Sequence, residues 1–308
     1  MPSPPEGHGL GPHVVGLRVV VRRVLPGETG PSGGPAMTDV LGTCLSWGDG
    51  VCVVAPDGPG AADRAPVEIR IADIVSGKPV PPRPSARLRI EPRAAQVRAL
   101  ALWPDLETEV LGDWVLRRSP TATARRANSV LAFGPSGVAG GDDAAYARVV
   151  AFYDRPIAAV LPDSAEDALF RGHGWVAESN DDDTLFQLAG VATVRRALRS
   201  RPQAAPVDVE LVGTHPGVVE ARLGDLASGI AAYDEDWVGF RSIEVRPEAR
   251  RRRLGLAVMD ALLDWGAEQG ATTAYLQVLA DNAPARALYA GLGFTTHHAY
   301  RYLAPPGR

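Results

Sequence analysis

The residues best suited to chemistry lie in one run, Val245-Arg246-Pro247-Glu248-Ala249-Arg250-Arg251-Arg252-Arg253-Leu254-Gly255-Leu256-Ala257. Its pattern reads as a strand ending at Val245, an arginine-rich turn, and a helix opening near Gly255. The first N–H groups of a helix lack intrahelical partners and carry the positive end of the dipole, so such a turn binds anions. Arg250, Arg251, Arg252 and Arg253 add fork-shaped donors that suit a pyrophosphate or a phosphate monoester. Gly255 lets backbone approach phosphate closely. On charge alone, a solvated basic turn is the simpler explanation, because charge runs are usually exposed. Just upstream, Glu244 is either a proton relay working through water or an exposed strand-end carboxylate. Asp234, Glu235 and Asp236 read as a solvated acidic turn. The sequence holds no Ser/Cys–His arrangement for an acyl-enzyme, and its six His never fall at metal-ligand spacing with Cys or acids, so no metal site is expected.

The elements that must position these residues alternate between helix and strand. Pro92–Leu102 has a helical pattern, Trp114–Arg117 and Ser129–Phe133 read as strands, and Asp142–Tyr153 as a helix. Ile157–Leu161 is a short apolar strand before the helix Ala165–Arg171. Val207–Val212, Val218–Leu223 and Val238–Val245 are further strands. Leu256–Glu268 is an amphipathic helix with Val258, Met259, Leu262 and Leu263 in its stripe and Gly270 at the capping position. Strand Tyr275–Leu279, helix Pro284–Leu292 and strand Phe294–Leu303 complete the series. There is an internal echo: Ala168-Leu169-Phe170-Arg171-Gly172-His173-Gly174-Trp175 aligns with Ala287-Leu288-Tyr289-Ala290-Gly291-Leu292-Gly293-Phe294. Because the order of elements before each copy also matches, the echo points to two similar halves, 89–200 and 201–308.

With those elements in place, the sequence resembles the GNAT superfamily of acyl-coenzyme A-dependent N-acetyltransferases. The resemblance rests on Val245-x-Pro247-x-x-Arg250 … Gly255, the following helix, Leu276-x-Val278, and Asn282-x-x-Ala285-x-x-Leu288-Tyr289 running to Gly293-Phe294, in order and at the family's spacing. It resembles in particular actinobacterial members with a small N-terminal barrel and two GNAT-like halves, with a distant likeness to mycothiol synthase. The resemblance implies an α/β (α+β) fold and acetyl-CoA as the co-substrate. Ile243 and Val245 would meet its pantetheine arm through backbone groups. Arg250 to Arg253, Leu254, Gly255 and the helix start at Leu256 would cradle the pyrophosphate, and Asn282 would touch the cofactor arm. Tyr289 would protonate the departing thiolate, a role a phenol can fill; otherwise it is a half-buried core aromatic. The sequence departs from the family twice: Arg253 stands where the pattern has its first glycine, and Gln277 stands where several members carry a glutamate base. The first half has no Arg/Gly turn before its helix and is expected to be degenerate. Trp114, Arg117, Arg126 and Asn128 are candidates for one wall of the acceptor pocket, or else buried polar anchors. His173 and Trp175 read as structural.

Composition sets the outer limits. In 308 residues, 45% are hydrophobic and 22% charged, enough to build a sizeable core. The net charge of −4, with no aromatics among the arginines, argues against nucleic acid as a partner. No apolar run is long enough to span a membrane. Met1–Pro12 lacks the pattern of a secretory signal and reads as a tail. Short strands at Val14–Val24, Val40–Leu45, Val51–Ala55 and Val67–Ile71 suggest a small closed barrel over 13–77. Cys44 and Cys52 flank a turn and are expected to be free thiols of a cytoplasmic protein. The proline-rich stretch 78–88 is expected to be a stiff linker. The expected activity is direct transfer of an acetyl group to a primary amine on a small molecule or peptide, by a monomer or homodimer. The rival is a degenerate acyl-CoA-binding regulatory or scaffold module, which Arg253 and Gln277 favour.

Overall fold

The computed structural model describes residues 9–30, 33–57, 65–80, 85–179, 183–201 and 208–307. The chain divides into two compact units, 1–84 and 85–308.

The first unit is a five-stranded antiparallel sheet in the order β4-β3-β2-β1-β5. Its strands are β1 (Arg18–Thr29), β2 (Pro35–Gly48), β3 (Val51–Pro56), β4 (Val67–Arg70) and β5 (Ile74–Pro79). Among the described residues no ladder joins β4 to β5, so the small all-β unit is not closed by strand pairing. Two boundary expectations change. Leu10, placed in the tail, is buried against the unit's core. Lys78 and Pro79, placed in the linker, pair with β1; residues 81–84 lie outside the described set. Cys44 and Cys52 are buried with their sulfurs 3.9 Å apart and unlinked. Burial pushes the Cys52 thiol up to about 12, which keeps it protonated and unreactive.

The second unit is built on one twelve-stranded sheet. In chain order its elements are α1 (Pro92–Arg98), β6 (Glu107–Leu111), β7 (Trp114–Arg118), β8 (Ser129–Ala132), α2 (Gly141–Phe152), β9 (Ala158–Val160), α3 (Ala165–Gly172), β10 (Val176–Ala177), β11 (Thr184–Gly190) and α4 (Val191–Arg199). There follow β12 (Glu210–His215), β13 (Val218–Leu223), β14 (Ala227–Asp234), β15 (Trp237–Val245), α5 (Leu254–Glu268), β16 (Thr273–Leu279), α6 (Ala283–Gly291) and β17 (Thr295–Ala304). The strand order is β12-β13-β14-β15-β16-β11-β17-β9-β8-β7-β6, with β10 on β17. Five of these elements, β6, β10, β11, α4 and β14, carry no helix or strand in the sequence reading.

The order is a palindrome of connections. Parallel pair β15–β16 is mirrored by parallel pair β8–β9, and β11 and β17 lie antiparallel between them. Strand β11, from 89–200, pairs with β16 of 201–308, while β17 pairs with β9. Each half thus donates its last strand to the other. The echo seen in sequence is repeated in the backbone. Trp175 N–H donates to Phe170 C=O, and Phe294 N–H to Tyr289 C=O, both at 3.0 Å. Gly174 and Gly293, at φ 81° and 94°, supply the left-handed exit that a Cβ would oppose.

Helix α5 buries the expected stripe, Val258, Met259, Leu262 and Leu263, on one face of the second half's sheet. It starts at Leu254, two residues before the sequence boundary. Helix α1 and the 3-10 turn Ala99–Leu102 lie on the opposite face, against Phe186, Leu188, Trp237 and Tyr275. Gly239 on β15 is required by this packing, since a Cβ there would sit 2.0 Å from the Tyr275 ring. Gly239→Ala is expected to destabilise the protein by about 1–3 kcal/mol, the usual range for overpacking, read as a lower urea midpoint; an unchanged midpoint would show that Tyr275 swings aside freely.

Candidate active site

Strand β15 runs beside β16 for four residues only, from Trp237–Thr273 to Phe240–Leu276. Both strands continue, but apart: β16 keeps β11 as its partner, and β15 keeps β14. A bulge marks the parting. The β14 register shifts between Ser228 and Ile230, and Ser242 opposite takes a left-handed φ of 52°. Bulges re-aim side chains and end pairing. Beyond it Ile243 and Val245 join the α5 side of the sheet, and Glu244 is exposed next to Ser228. Arg246 N–H donates to Leu226 C=O at 2.9 Å. By strand alternation, the backbone groups of Val245 and Ile243 therefore face away from β14, into the gap. An extended ligand can pair with such an edge as an added strand would.

The arginine turn closes one end of the gap. After the 3-10 turn Pro247–Ala249, Arg251 and Arg253 both take left-handed φ values, 64° and 62°. Arg253 is the N-cap of α5, with no side-chain cap bond. The family glycine that Arg253 replaces is thus explained: the position needs positive φ, and arginine adopts it at a steric cost. The Arg253 side chain is exposed. Among the described residues Arg250, Arg251, Arg252 and Arg253 have no carboxylate partner, and Arg250 Nε reaches only Val245 C=O, at 3.4 Å. Four adjacent cations without acid partners among the described residues make a concentration of positive charge rather than an ion-pair network. Gly255 packs α5 tightly on β15: a Cβ would lie 3.2 Å from Val245 Cγ2.

An open cavity of about 880 Å³ wraps the end of β15, lined by Ser228, Ile243, Glu244, Val245, Arg246 and Arg250 among others. Of the acids in its wall, Glu220 is paired to Arg222 at 2.7 Å and Asp225 to Arg246 at 3.3 Å. Glu244 has no such partner among the described residues. Tyr289 on α6 is half-buried, 5.9 Å from Phe294 edge to face, and its hydroxyl makes no hydrogen bond among the described residues. Burial raises its pKa, so it holds its proton until a stronger base appears. Asn282 caps α6, accepting from Ala285 N–H at 3.2 Å through Oδ1. That structural duty comes in addition to the cofactor contact the resemblance implies.

The remaining sequence candidates divide. Trp114, Arg117 and Asn128 are anchors: Trp114 Nε1 donates to Gly134 C=O, Arg117 to Ser129, and Asn128 to Ala122 C=O. His173 stacks on Tyr146, whose hydroxyl accepts from Trp175 Nε1. The acidic turn is tied down by Arg98, closest to Glu235 at 2.8 Å. The first half lacks the chemistry altogether. Strand β8 ends where its pairing with β9 ends, Asp142 and Asp143 occupy the first turn of α2, and buried Phe170 takes the place of Tyr289.

Arg126 and Gln277, both singled out in the sequence, meet through residues that sequence reasoning missed, because strand exchange assembles the cluster. Tyr300 of β17 donates to Gln277 Oε1 across β11, and Arg126 Nε donates to Tyr300 Oη at 3.3 Å. Beside it, His297 and His298 bond to each other, His297 to Ile90 C=O and His298 to Gln96.

Residues 90–303 match the family model described as Probable histone acetyltransferase Rv0428c C-terminal. The chain is 28% identical to Probable histone acetyltransferase Rv0428c of Mycobacterium tuberculosis, over 94% of this chain and 95% of that one. Its fold is shared with a GCN5-related N-acetyltransferase from Kribbella flavida, at TM-score 0.50 and 15% identity, covering 70% of this chain and 95% of that one. The chain belongs to the Rv0428c C-terminal family, is an acetyltransferase, and has the GNAT fold. Among the described residues no helix is long and apolar enough to cross a membrane.

Two outcomes follow. Arg253→Gly is expected to match or exceed the wild type in stability, whereas Arg253→Val, β-branched at positive φ, should lose about 1–2 kcal/mol in urea unfolding. Equal stabilities would remove the strain. Burial, with His297 beside it, lowers the His298 pKa to about 3 from 6.5. The unfolded chain takes up that proton first, so stability should be full above pH 6.5 and fall toward pH 3. The drop should be shallower in His298→Gln; parallel curves would sink the assignment.

Proposed function

We propose that the protein transfers an acetyl group from acetyl-CoA directly to a primary amine. The reading is carried by one observation: a strand edge opened by the Ser242 bulge runs into a turn of four acid-free arginines at a helix start. Ile243 and Val245 hold the pantetheine amides along the open edge. The N–H groups at Leu254 and Gly255, with Arg250, Arg251, Arg252 and Arg253, hold the pyrophosphate, while Leu256 N–H donates to Arg253 C=O at 3.0 Å. Asn282 borders the arm. Acetyl-CoA supplies the activated acetyl group as a thioester.

The amine enters from the face of the sheet opposite α5, where Glu244 and Gln277 lie. Its nitrogen forms the new bond to the acetyl carbon, and the carbon–sulfur bond breaks. Glu244, the unpaired acid of the cavity, receives the amine's proton through water. Tyr289, kept protonated by burial, gives its proton to the departing sulfur. Holding both reactants in one gap supplies much of the rate. The M. tuberculosis relative is named for histones, which supports a lysine-type amine among the acceptors to be tried.

Calorimetric titration of the full chain with acetyl-CoA should show saturable binding; none at high micromolar concentration would end this reading. Tyr289→Phe should lower kcat about a hundredfold with acetyl-CoA affinity unchanged. An unchanged rate would take Tyr289 out of the mechanism.

A further inference from the structure

Arg126 differs from its neighbours. Arg118 and Arg125 are each matched to an acid, Glu107 at 2.6 Å and Glu178 at 2.7 Å. Arg126 is partly enclosed by the sheet and has no acid partner among the described residues. Its Nε donates to Tyr300 Oη. Its two terminal nitrogens make no hydrogen bond among the described residues, and neither is sealed from solvent. Desolvation works against the charge, but the Tyr300 and Tyr302 oxygens outweigh it, so the guanidinium stays charged. Arg117, also acid-free, bears on the same Tyr302 from behind. An enclosed guanidinium without an acid is costly unless something else meets it.

A second unmet group stands at the same place. Thr184 of β11 is the cross-strand neighbour of Tyr300. It is buried, and its hydroxyl has no partner. Tyr300 in turn reaches Gln277, one residue past the last β15–β16 pair. Arg126 therefore stands on the acceptor face, joined through Tyr300 to Gln277, with the sealed Thr184 hydroxyl next to Tyr300.

We infer that Arg126 binds a carboxylate of the acceptor, so that the amine acetylated by this protein belongs to an acidic molecule. This rests on the acetyl-transfer reading for where the amine sits. A guanidinium offers a carboxylate two parallel N–H donors. An amine flanked by further cations, as in a basic tail, meets repulsion from Arg126 and Arg117 instead. The subsite also accounts for Gln277: a glutamate there would stand beside Tyr300 as a competing anion.

The test is binding, so that it stands apart from turnover. The full chain is titrated calorimetrically with straight-chain ω-amino acids of increasing length, each paired with its carboxamide. At least one acid should bind about tenfold tighter than its amide, the scale of a charge-assisted bond. Arg126→Gln should erase that preference, and Arg126→Lys should restore part of it. All three proteins should keep the same acetyl-CoA affinity, which also shows that the variants fold. The inference fails if no acid is preferred over its amide in the wild type, or if the preference survives in Arg126→Gln. Acetyl-CoA titration of the wild type reports on the acetyl-transfer reading separately, because the acid-over-amide comparison is made without it.

Discussion

The exchange of β11 and β17 is the constraint on which the rest of the acetyltransferase unit depends. Strand β11 is hydrogen-bonded to β16 on one side and β17 on the other, and β17 passes the sheet on to β9. Neither half has a complete sheet alone. Because β16 is satisfied by β11, it need not follow β15 past Leu276, and the two can part without leaving β16 an open edge. The gap beside β15 is thus made possible by a strand from the other half. The same exchange brings Tyr300, Gln277, Thr184 and Arg126 together, although they lie far apart in the chain.

Local strain is concentrated where the ligand is to lie. Ser242, Arg251 and Arg253 are non-glycine residues at positive φ within twelve residues of one another. Such conformations persist only when the surroundings dictate them. Here α5, packed on β15 through Gly255 with its apolar stripe in the core, holds the turn in place. The arginines give charge where the backbone alone would have favoured glycine. Their lack of acid partners leaves that charge available.

The two halves share a frame and differ in chemistry. The hydrogen bonds around Gly174 and Gly293 are the same. Yet β8 is too short to offer an open edge, α2 begins with acids, and Phe170 has no hydroxyl. The first half keeps the elements that complete the sheet, while the open strand edge and the arginine turn belong to the second.

The local motifs were legible in the sequence because they depend on short-range rules. The α5 stripe, the left-handed exits at Gly270 and Gly293, the proline at the start of α6 and the ordered run from Val245 to Phe294 all appear where periodicity and turn chemistry put them. So did the two halves, through the echo of eight residues, and the family to which the chain belongs. Other features were hidden. Strand β11 holds Gln187 and Thr184 in a buried position and shows no strand alternation, because both its faces are covered. Leu10 lies in a glycine- and proline-rich stretch whose composition resembles a tail. Whether Arg253 could stand in for glycine depended on φ, which helix packing sets and composition does not. The cluster around Arg126 depended on which strands pair, and pairing over more than a hundred residues is decided by burial of whole faces rather than by any local signal.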